Sequence, residues 1–476
     1  TRTNITGMGA TATLQGGQVQ VNVQSGTFLA NTEYLILHAD GGIIGSFDPT
    51  IPQQGNFRFS LRQDEDDVFL TLLRFAFNDP TICATRNQCA VGTGLENVVP
   101  QATGDLLLVI NTLGGLDIPG QQRGLAAMAG DQHATLAKLA LEGNALFGQS
   151  VSRRLAEWRD AMSQTAERGE PAPGINLASV VPLDQSLSAQ LRQGPARADS
   201  WGVWMRGYGV FGSLDDDGNA AGAKYDIGGA AIGIDRQLSP NLLAGLSFGY
   251  ANTKARFDRE GANATINSYD IGLYAGFRSN GFRADATASY AYLDNDTARH
   301  IPIGPIDRTA KADYGGHRFA ASLDLGYLLR LGPIEIEPQA GLQYTRLRQN
   351  AFEEHGAGAV NLDVEATKVE SLRSGVGVRL AAGIPLGGEA MLVPELRARW
   401  LHEFLDERGR IDANFIGQPA SAFTALGVKT PDDSAALGAG LVVRFSKTFS
   451  AFVDYDARFN RREMAHNVTG GLRLTW

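Results

Sequence analysis

Apolar and polar side chains alternate with a period of two through the C-terminal part of the chain, from residue 198 to 476. This is the period of a β-strand whose two faces meet different surroundings, and it predicts a mainly β fold with twelve antiparallel strands. The predicted strands are 200–212, 223–237, 241–257, 264–279, 281–293, 314–331, 333–349, 367–384, 389–404, 433–446, 448–459 and 465–476.

The connections between these strands alternate in length. Those after even-numbered strands are short, as at Ser239–Asn241 and Ser279–Gly281. Those after odd-numbered strands are mostly long and polar, as at 294–313, 350–366 and 405–432. All tight turns therefore lie at one end of the sheet, which is typical of a transmembrane β-barrel of the outer membrane. Hydropathy alone misses such strands, because each has only about ten membrane residues and every second one is polar.

The two faces of the strands differ in charge. One face is uncharged, as in the series Tyr269, Ile271 and Leu273, and would contact lipid. The other face carries the ionised residues that would line the barrel lumen: Arg206, Asp235, Asp270, Arg278, Arg283, Asp285, Arg318, Asp324, Glu335, Glu337, Arg373, Arg379, Glu395, Arg397, Arg399, Arg444, Asp454, Asp456, Arg458 and Arg473. A lumen can hold them because acids and arginines are evenly mixed and can pair.

A soluble β-sandwich shows the same alternation, with its polar face toward water. Three features favour the membrane barrel: the length of the strands, the mixed charges, and aromatic residues near the ends of the apolar faces, such as Tyr344 and Trp400. Pro338 and Pro394 fall inside predicted strands, where each removes a ladder hydrogen bond, so we expect β-bulges there.

Three segments precede the barrel at 198–476. Residues 1–78 read as short strands with glycine turns and predict C-terminal rungs of a right-handed parallel β-helix. Residues 79–120 form a connecting segment, in which the spacing of Cys83 and Cys89 favours a disulfide over two unconnected thiols. Residues 121–197 form a helical linker, because apolar residues recur there at helical spacing.

The helical linker should be interrupted. We expect one or two amphipathic helices that break near Gly143 or Gly148, then a linker at ERGEPAPG (167–174) and a short helical piece at 184–192. Residues 125–160 are the first candidate for a helix inside the pore, and 184–192 are the second. The first ten residues, TRTNITGMGA, lack the basic and apolar runs of a signal peptide.

Composition and short motifs exclude several function classes. The net charge of -9 argues against a nucleic-acid partner. GLSFG (245–249) matches the nucleophile-elbow pattern, but Ser247 lies mid-strand rather than at a strand–turn–helix junction. DDDG (215–218) lacks the later glutamate of a calcium loop, and the seven histidines show no metal-ligand spacing. No cofactor, metal site or catalytic residue is expected.

Several stretches resemble the autotransporter family of type V secretion. WGVWMRGYGVFG with DDDGNAAGAKYDIGGAAIGID, HRFAASLDLGYLLRLGPIEIEPQAGLQYTRL and ARFNRREMAHNVTGGLRLTW are similar to its C-terminal β-domain. AMAGDQHATLAKLALEGNALFGQSVSRRL is similar to the segment before the barrel, and GTFLANTEYLILHADGGIIGSFD is similar to the end of a β-helical passenger. The family usually ends in Phe, whereas this chain ends in Trp476.

The resemblance implies a translocator in the outer membrane of a Gram-negative bacterium, a monomer that exports its own N-terminal passenger. The implied partners are outer-membrane lipid, periplasmic chaperones and the barrel-assembly machinery. This machinery would read the last strand through Val468, Leu472, Leu474 and Trp476. Some relatives cleave their passenger inside the barrel, and Asn144 is the candidate here, although an ordinary helix asparagine is the stronger interpretation. The alternatives are an enzyme or adhesin whose active domain lies upstream of Thr1, or a porin-like channel.

Overall fold

The computed structural model describes residues 2–22, 32–52, 57–167, 201–259, 261–388, 390–405, 408–446 and 449–474. Twelve of its strands form one antiparallel barrel, which confirms the predicted fold class. These strands are β7 (Trp201–Leu214), β8 (Ala223–Ser239), β9 (Leu242–Phe257), β10 (Asn263–Ser279), β11 (Phe282–Ile303), β12 (Ile306–Tyr327), β14 (Ile334–Gln349), β17 (Thr367–Ala382), β19 (Ala390–Glu403), β22 (Asp433–Arg444), β23 (Phe449–Phe459) and β24 (Glu463–Leu474).

Each barrel strand pairs with its neighbours in the chain, and the ring is closed by the last strand. β24 pairs antiparallel with β7 from Glu463↔Leu214 to Gly470↔Gly207, and β12 pairs with β14. A closed ring leaves no strand edge with unpaired backbone groups, which a bilayer requires.

The predicted bulges at Pro338 and Pro394 are wrong. Both prolines keep an unshifted register with one neighbour, as Pro338↔Val378 and Pro394↔Leu441. On the other side the neighbouring strand is interrupted: β12 resumes after Leu328 as β13 (Leu329–Leu331), and β17 resumes after Gly383 as β18 (Ile384–Gly387). A proline lacks only its own N–H, so a local gap in one ladder satisfies the chain without an inserted residue.

The long connections are more ordered than their polar sequences suggest. The predicted loop at 294–313 is the continuation of β11 and β12, which pair as far as Ile303↔Ile306. The other two long loops contain β15 (Phe352–Glu353), β16 (Leu362–Val364), β20 (Arg410–Phe415) and β21 (Gln418–Leu426), which form a four-stranded sheet in that order. We call the end of the barrel that carries these elements the long-loop end.

The N-terminal residues correct the expectation of a β-helix. The described part of this region forms only small sheets, made by β1 (Thr3–Ile5), β2 (Ala12–Thr13), β3 (Thr32–Ala39), β4 (Ile43–Ile44), β5 (Phe57–Gln63) and β6 (Asp67–Arg74). β1 with β3 and β2 with β4 are parallel, but β6 pairs antiparallel with both β3 and β5. The short strands and glycine turns were read correctly, whereas the pairing depends on contacts about 30 residues apart that no local pattern specifies.

Four helices lie between these sheets and the barrel: α1 (Arg86–Val98), α2 (Gly104–Gly114), α3 (Ile118–Met128) and α4 (Asp131–Glu167). The first two fall in the segment expected to be a simple connection. α4 runs through Gly143 and Gly148, so the predicted break there is wrong. The linker from residue 168 and the helical piece at 184–192 lie outside the described residues. No helix in the described ranges has the length and apolar character needed to cross a membrane.

Helices α1 to α3 pack on the sheet β15–β16–β20–β21 and on the tips of β11 and β12; we call this assembly the cap. Its buried side chains include Leu95 and Leu113 from the helices, Ile303 from β11, and Phe415 and Phe423 from the sheet. Thr85 caps the N-terminus of α1 in a capping box: its hydroxyl accepts from the Gln88 backbone N–H, and the Gln88 side-chain oxygen accepts from the Thr85 backbone N–H. The cap therefore closes over the long-loop end of the barrel.

Candidate functional site

Helix α4 occupies the barrel lumen and buries an apolar stripe against one side of the wall. Phe147, Val151, Leu155 and Trp158 recur at helical spacing, and each is at most 5% exposed. Glycines of the wall make room for them: a Cβ at Gly249 would lie 2.6 Å from the Phe147 ring. Close packing of this kind fixes the rotation of α4 about its axis.

Charged side chains of α4 pair with the wall, and one of them, Arg154, lies beside the apolar stripe. Arg154 donates through Nε and Nη2 to the two carboxylate oxygens of Asp235, each at 2.8 Å, and both side chains are almost fully buried. Tyr274 donates to the same carboxylate at 2.8 Å. This bidentate geometry is the strongest form of arginine–carboxylate contact.

Arg153 meets a cluster of acids on the neighbouring part of the wall. Its guanidinium lies 2.7 Å from Glu395, 3.2 Å from Asp454 and 3.5 Å from Asp456. Arg397 contacts the same three acids from the wall itself. The two arginines together neutralise most of the charge of this cluster.

Acidic residues of α4 make the reciprocal pairs. Glu142 lies 2.6 Å from Arg458 and 3.7 Å from Arg373, and Glu157 accepts a hydrogen bond from Arg206. Sequence reasoning did not single out these two glutamates. The polar series Glu142, Gln149, Arg153 and Glu157 stands at helical spacing opposite the apolar stripe, so the signal was present in the chain.

Other predicted lumen residues pair with one another along the inside of the wall. Arg283 and Arg379 contact Glu337 at 2.7 and 3.4 Å, and Arg379 also reaches Glu395. Two further ion pairs lie on the wall: Arg318 with Asp270 at 2.7 Å, and Arg399 with Asp324 at 2.9 Å.

The remaining predicted charges are less central. Arg278 lies with its guanidinium 5.2 Å from the ring centroid of Trp158, and Asp285 is buried in the lumen wall. Glu335 pairs with Arg330 at the short-turn end, and Arg444 is half-buried on β22. The side chain of Arg473 lies outside the described residues.

A cavity of about 350 Å³ remains beside α4. It is lined by Glu142 and Gln149 of the helix and by wall residues such as Asp285, Asp324 and Arg399. The helix therefore packs tightly against one side of the lumen and leaves a polar space along the other.

At the long-loop end a buried ion cluster joins α4 to the cap. Arg299 donates to Glu354 at 3.0 Å, and His133 Nε2 lies 2.9 Å from the same carboxylate. Burial alone would raise the pKa of Glu354, but Arg299 and His133 outweigh it and lower that pKa to about 2. Sequence reasoning missed Arg299 and Glu354 because both fall in segments expected to be solvated loops.

The disulfide candidates are joined, Cys83 to Cys89, just before and within α1. Ser247 is fully buried and donates to the Gly272 carbonyl oxygen. Asp217 of the DDDG turn accepts from backbone N–H groups, including that of Ala220. Within the described ranges, no three His, Cys, Asp or Glu side chains are grouped to hold a metal ion.

The structure describes the predicted cleavage residue and the predicted assembly signal only in part. Asn144 lies within α4, but its side chain is outside the described residues. Of the proposed assembly signal, Val468 is 45% exposed on the outer wall. The side chains of Leu472 and Leu474, and all of Trp476, are outside the described part of the chain.

The family model for the autotransporter β-domain matches residues 203–456, which is more than half of the chain. An extracellular serine protease of Serratia marcescens is 24% identical over 495 residues, covering 98% of this chain and 46% of the relative. Esterase EstA of Pseudomonas aeruginosa is 25% identical over 268 residues, covering 56% of this chain and 40% of the relative. The chain thus spans less than half the length of these curated relatives.

Among solved structures, the translocator domain of NalP from Neisseria meningitidis is similar. It is 16% identical, with a TM-score of 0.48, over 71% of this chain and 99% of that one. The transport unit of AIDA-I from Escherichia coli is 14% identical, with a TM-score of 0.45, over 63% and 94%.

Proposed function

Because this chain belongs to the autotransporter family and its β-barrel is a translocator of the outer membrane, we propose that α4 is the segment left in the pore after export. The passenger would lie N-terminal to α4. The observation that carries this proposal is the charge match between α4 and the lumen, above all the bidentate contact of Arg154 with Asp235.

The match favours a stable plug over a transient passage. Arg153, Arg154 and Glu142 each have opposite charges on the wall. Removing one partner of such a buried pair costs about 3–5 kcal/mol, because the other charge stays buried without compensation. A segment that only slides through the pore would gain nothing from a fixed set of partners.

The position of the cap supports a direction of export, from the periplasm to the outside. In a translocator the long-loop end faces the outside, and the short turns face the periplasm. The cap is wider than a single helix and is held together by its own apolar core. We propose that folding of the cap outside prevents α4 from returning to the periplasm, so that the free energy of folding holds the exported state.

Cross-linking tests whether α4 lies in the pore in cells. In the double variant F147C/G249C the two cysteines lie at the contact between α4 and the wall, and a short bis-maleimide should join them in the intact outer membrane. The matched control F147C/F248C moves the second cysteine by one residue to the outer wall, where Phe248 is 50% exposed. Equal cross-linking of both pairs, or of neither in a correctly folded barrel, would contradict the proposal.

Conductance separates this function from that of a porin-like channel. The occupied lumen should conduct only weakly in planar bilayers, through the polar space beside α4. Variants that lose the lumen pairs should show more frequent large openings. Steady porin-like conductance of the unmodified protein would favour the channel function instead.

The outer wall of β24 supports recognition by the barrel-assembly machinery. Val468 faces outward, and we propose that Leu472, Leu474 and Trp476 continue this apolar face as the signal that periplasmic chaperones and the machinery read. The variant W476A should therefore reduce the amount of barrel in the outer membrane, measured by heat-modifiable migration in gels. We propose a monomer, because the strand ring is closed within one chain.

The N-terminal region supports a role in the passenger. We propose that residues 1–78 are the end of the passenger and help it to fold outside, with 79–120 and 121–197 as connection and linker. Serine protease and esterase are activities in the names of longer similar proteins, of which this chain covers 46% and 40%. We infer that any such activity here belongs to the passenger and not to the β-domain. Substitutions in the barrel that remove contacts with α4 should therefore leave the enzymatic activity of a released passenger unchanged.

A further inference from the structure

A row of basic side chains crosses three strands on the outer wall, near the long-loop end. Arg348 of β14 lies directly opposite His317 of β12 on one side and Lys368 of β17 on the other. One step nearer the membrane, Arg346 lies opposite Phe319 and Glu370. We call Arg346, Arg348 and Lys368 the basic patch.

The charges of the basic patch are only partly balanced by the wall, which offers one acid to three basic side chains. Arg346, Arg348 and Lys368 are exposed. The acid in these two rows is Glu370, which Lys368 already contacts at 2.8 Å and Tyr344 at 2.6 Å. Like charges directly opposite each other destabilise an antiparallel pair, so Arg348 beside Lys368 is unfavourable without an anion from outside. The patch also opposes the sign of the whole chain, whose net charge is -9.

The height of the patch on the barrel suggests what that anion is. Tyr344 precedes Arg346 by two positions on the same outward face, and Phe319, which lies opposite Arg346, packs on the Tyr290 ring. Outward aromatic residues near one end of the strands are typical of the aromatic belts of outer-membrane barrels. Such belts lie at the boundary between hydrocarbon and headgroups. At about 3.4 Å per residue, Arg346 and Arg348 lie about 7 and 14 Å further along the tilted strand, which is the level of lipid headgroups.

We propose that the basic patch binds the phosphate groups of a phosphorylated lipid headgroup in the outer leaflet. Arginine guanidinium groups contact phosphate oxygens in pairs, and lysine adds a mobile point charge. The patch lies on the outward face of the strands, beside the bilayer, which favours a lipid over free phosphate. The bound headgroup would relieve the repulsion between Arg348 and Lys368 and stabilise this part of the wall.

The test uses the full chain in phosphatidylcholine nanodiscs with increasing fractions of lipid A, a bisphosphorylated glucosamine-disaccharide lipid. Native mass spectrometry counts the lipid A molecules that each protein retains. A basic residue near an anionic surface is worth roughly a fivefold change in binding constant. The variant R346Q/R348Q/K368Q should therefore bind lipid A about 100-fold more weakly.

Three controls make the result decisive. R410Q removes an exposed arginine of the cap sheet and should bind lipid A as the unmodified protein does. R346K/R348K keeps the charge and should bind lipid A at least tenfold more tightly than the triple glutamine variant. Both variants should show the same heat-modifiable migration in gels. Lipid A without its phosphates should not be retained.

Two outcomes would overturn the proposal. Equal retention of lipid A by the unmodified protein and by a folded R346Q/R348Q/K368Q variant would show that the patch does not bind it. Competition by millimolar inorganic phosphate as effective as that by lipid A would assign the site to free phosphate instead of lipid.

Discussion

The lumen and the cap hold neighbouring parts of the same chain by different chemistry. In the lumen α4 is fixed by paired charges, such as Arg154 with Asp235, in addition to its apolar stripe. In the cap, helices α1 to α3 are fixed by apolar side chains such as Leu95 and Leu113, both fully buried. A lumen must be compatible with water before a helix enters it, whereas the cap core can form as the chain leaves the pore.

This difference sets how each interface can be broken. A buried ion pair fails when one partner is removed, because the surviving charge has lost its compensation. An apolar core fails when a cavity is created, with a cost that depends on how far the surroundings relax. Two aspartates on β8 and two leucines on α2 allow matched tests of these two interfaces.

The largest effect is expected from Asp235→Ala. Arg154 would stay buried in the lumen without its carboxylate, which should destabilise the plugged barrel by about 3–5 kcal/mol. Thermal conversion to the unfolded form, followed by gel migration, measures the loss. Asp226→Ala is the control on the same strand, because its pair with Arg256 is exposed and is worth about 0–1 kcal/mol. Equal destabilisation by both variants would contradict the role of the lumen pair.

A comparable but local effect is expected in the cap. Leu113→Ala removes a fully buried side chain of α2 and should destabilise the cap by about 2–5 kcal/mol. Protease digestion of intact cells should then cut within residues 86–128. Leu108 on the same helix is 48% exposed, so Leu108→Ala should leave the digestion pattern unchanged. Resistance of both variants would show that the cap does not depend on this core.

Acid should loosen the junction between lumen and cap. The pKa of Glu354 is lowered from 4.5 to about 2 in the folded protein, so its ion cluster stabilises the fold fully above the unfolded pKa. That stabilisation is lost as the pH falls from about 4.5 toward 2. Protease resistance of the cap should therefore persist at pH 5 and decline below pH 4. Glu354→Gln should be less resistant at pH 7 and should lack the acid step; an unchanged acid step in this variant would exclude Glu354 as its cause.

The smallest effect is expected from Asn144→Ala. If the residue is an ordinary position on α4, the variant should show the same fragment pattern of the exported passenger as the unmodified protein. Immunoblotting of culture medium and cells measures this. Loss of a released fragment in Asn144→Ala alone, with Gln149→Ala unchanged, would establish self-cleavage at this position.

The barrel strands were predictable because their signal is local. Alternation such as Tyr269, Ile271 and Leu273 against Asp270 is imposed by lipid on one side and the lumen on the other. The prediction of strand ends failed where the two faces of a strand no longer differ in polarity. β11 and β12 continue past residue 293, although both of their faces there are polar enough to resemble a loop. The prolines were misjudged because a ladder gap in the partner strand is not visible in the sequence.

The helical region shows the same limit. The apolar stripe of α4 was evident, yet its continuation through Gly143 was not. A Cβ at Gly143 would lie 3.2 Å from Arg318 Nη1, so this glycine serves packing against the wall rather than a break in the helix. The partners of Arg153 and Arg154 could be guessed by sign but not by identity, since any of several lumen acids fitted the pattern.

The sequence by itself determined the number of barrel strands, the face that each presents to lipid and the alternation of short and long connections. These features follow from a period of two and from turn lengths. Only the tertiary structure decided which charges meet, that the long loops form a cap, and that the N-terminal strands make small sheets. Those features depend on contacts between residues tens to hundreds of positions apart, and neither strand propensity nor local pattern carries information about such partners.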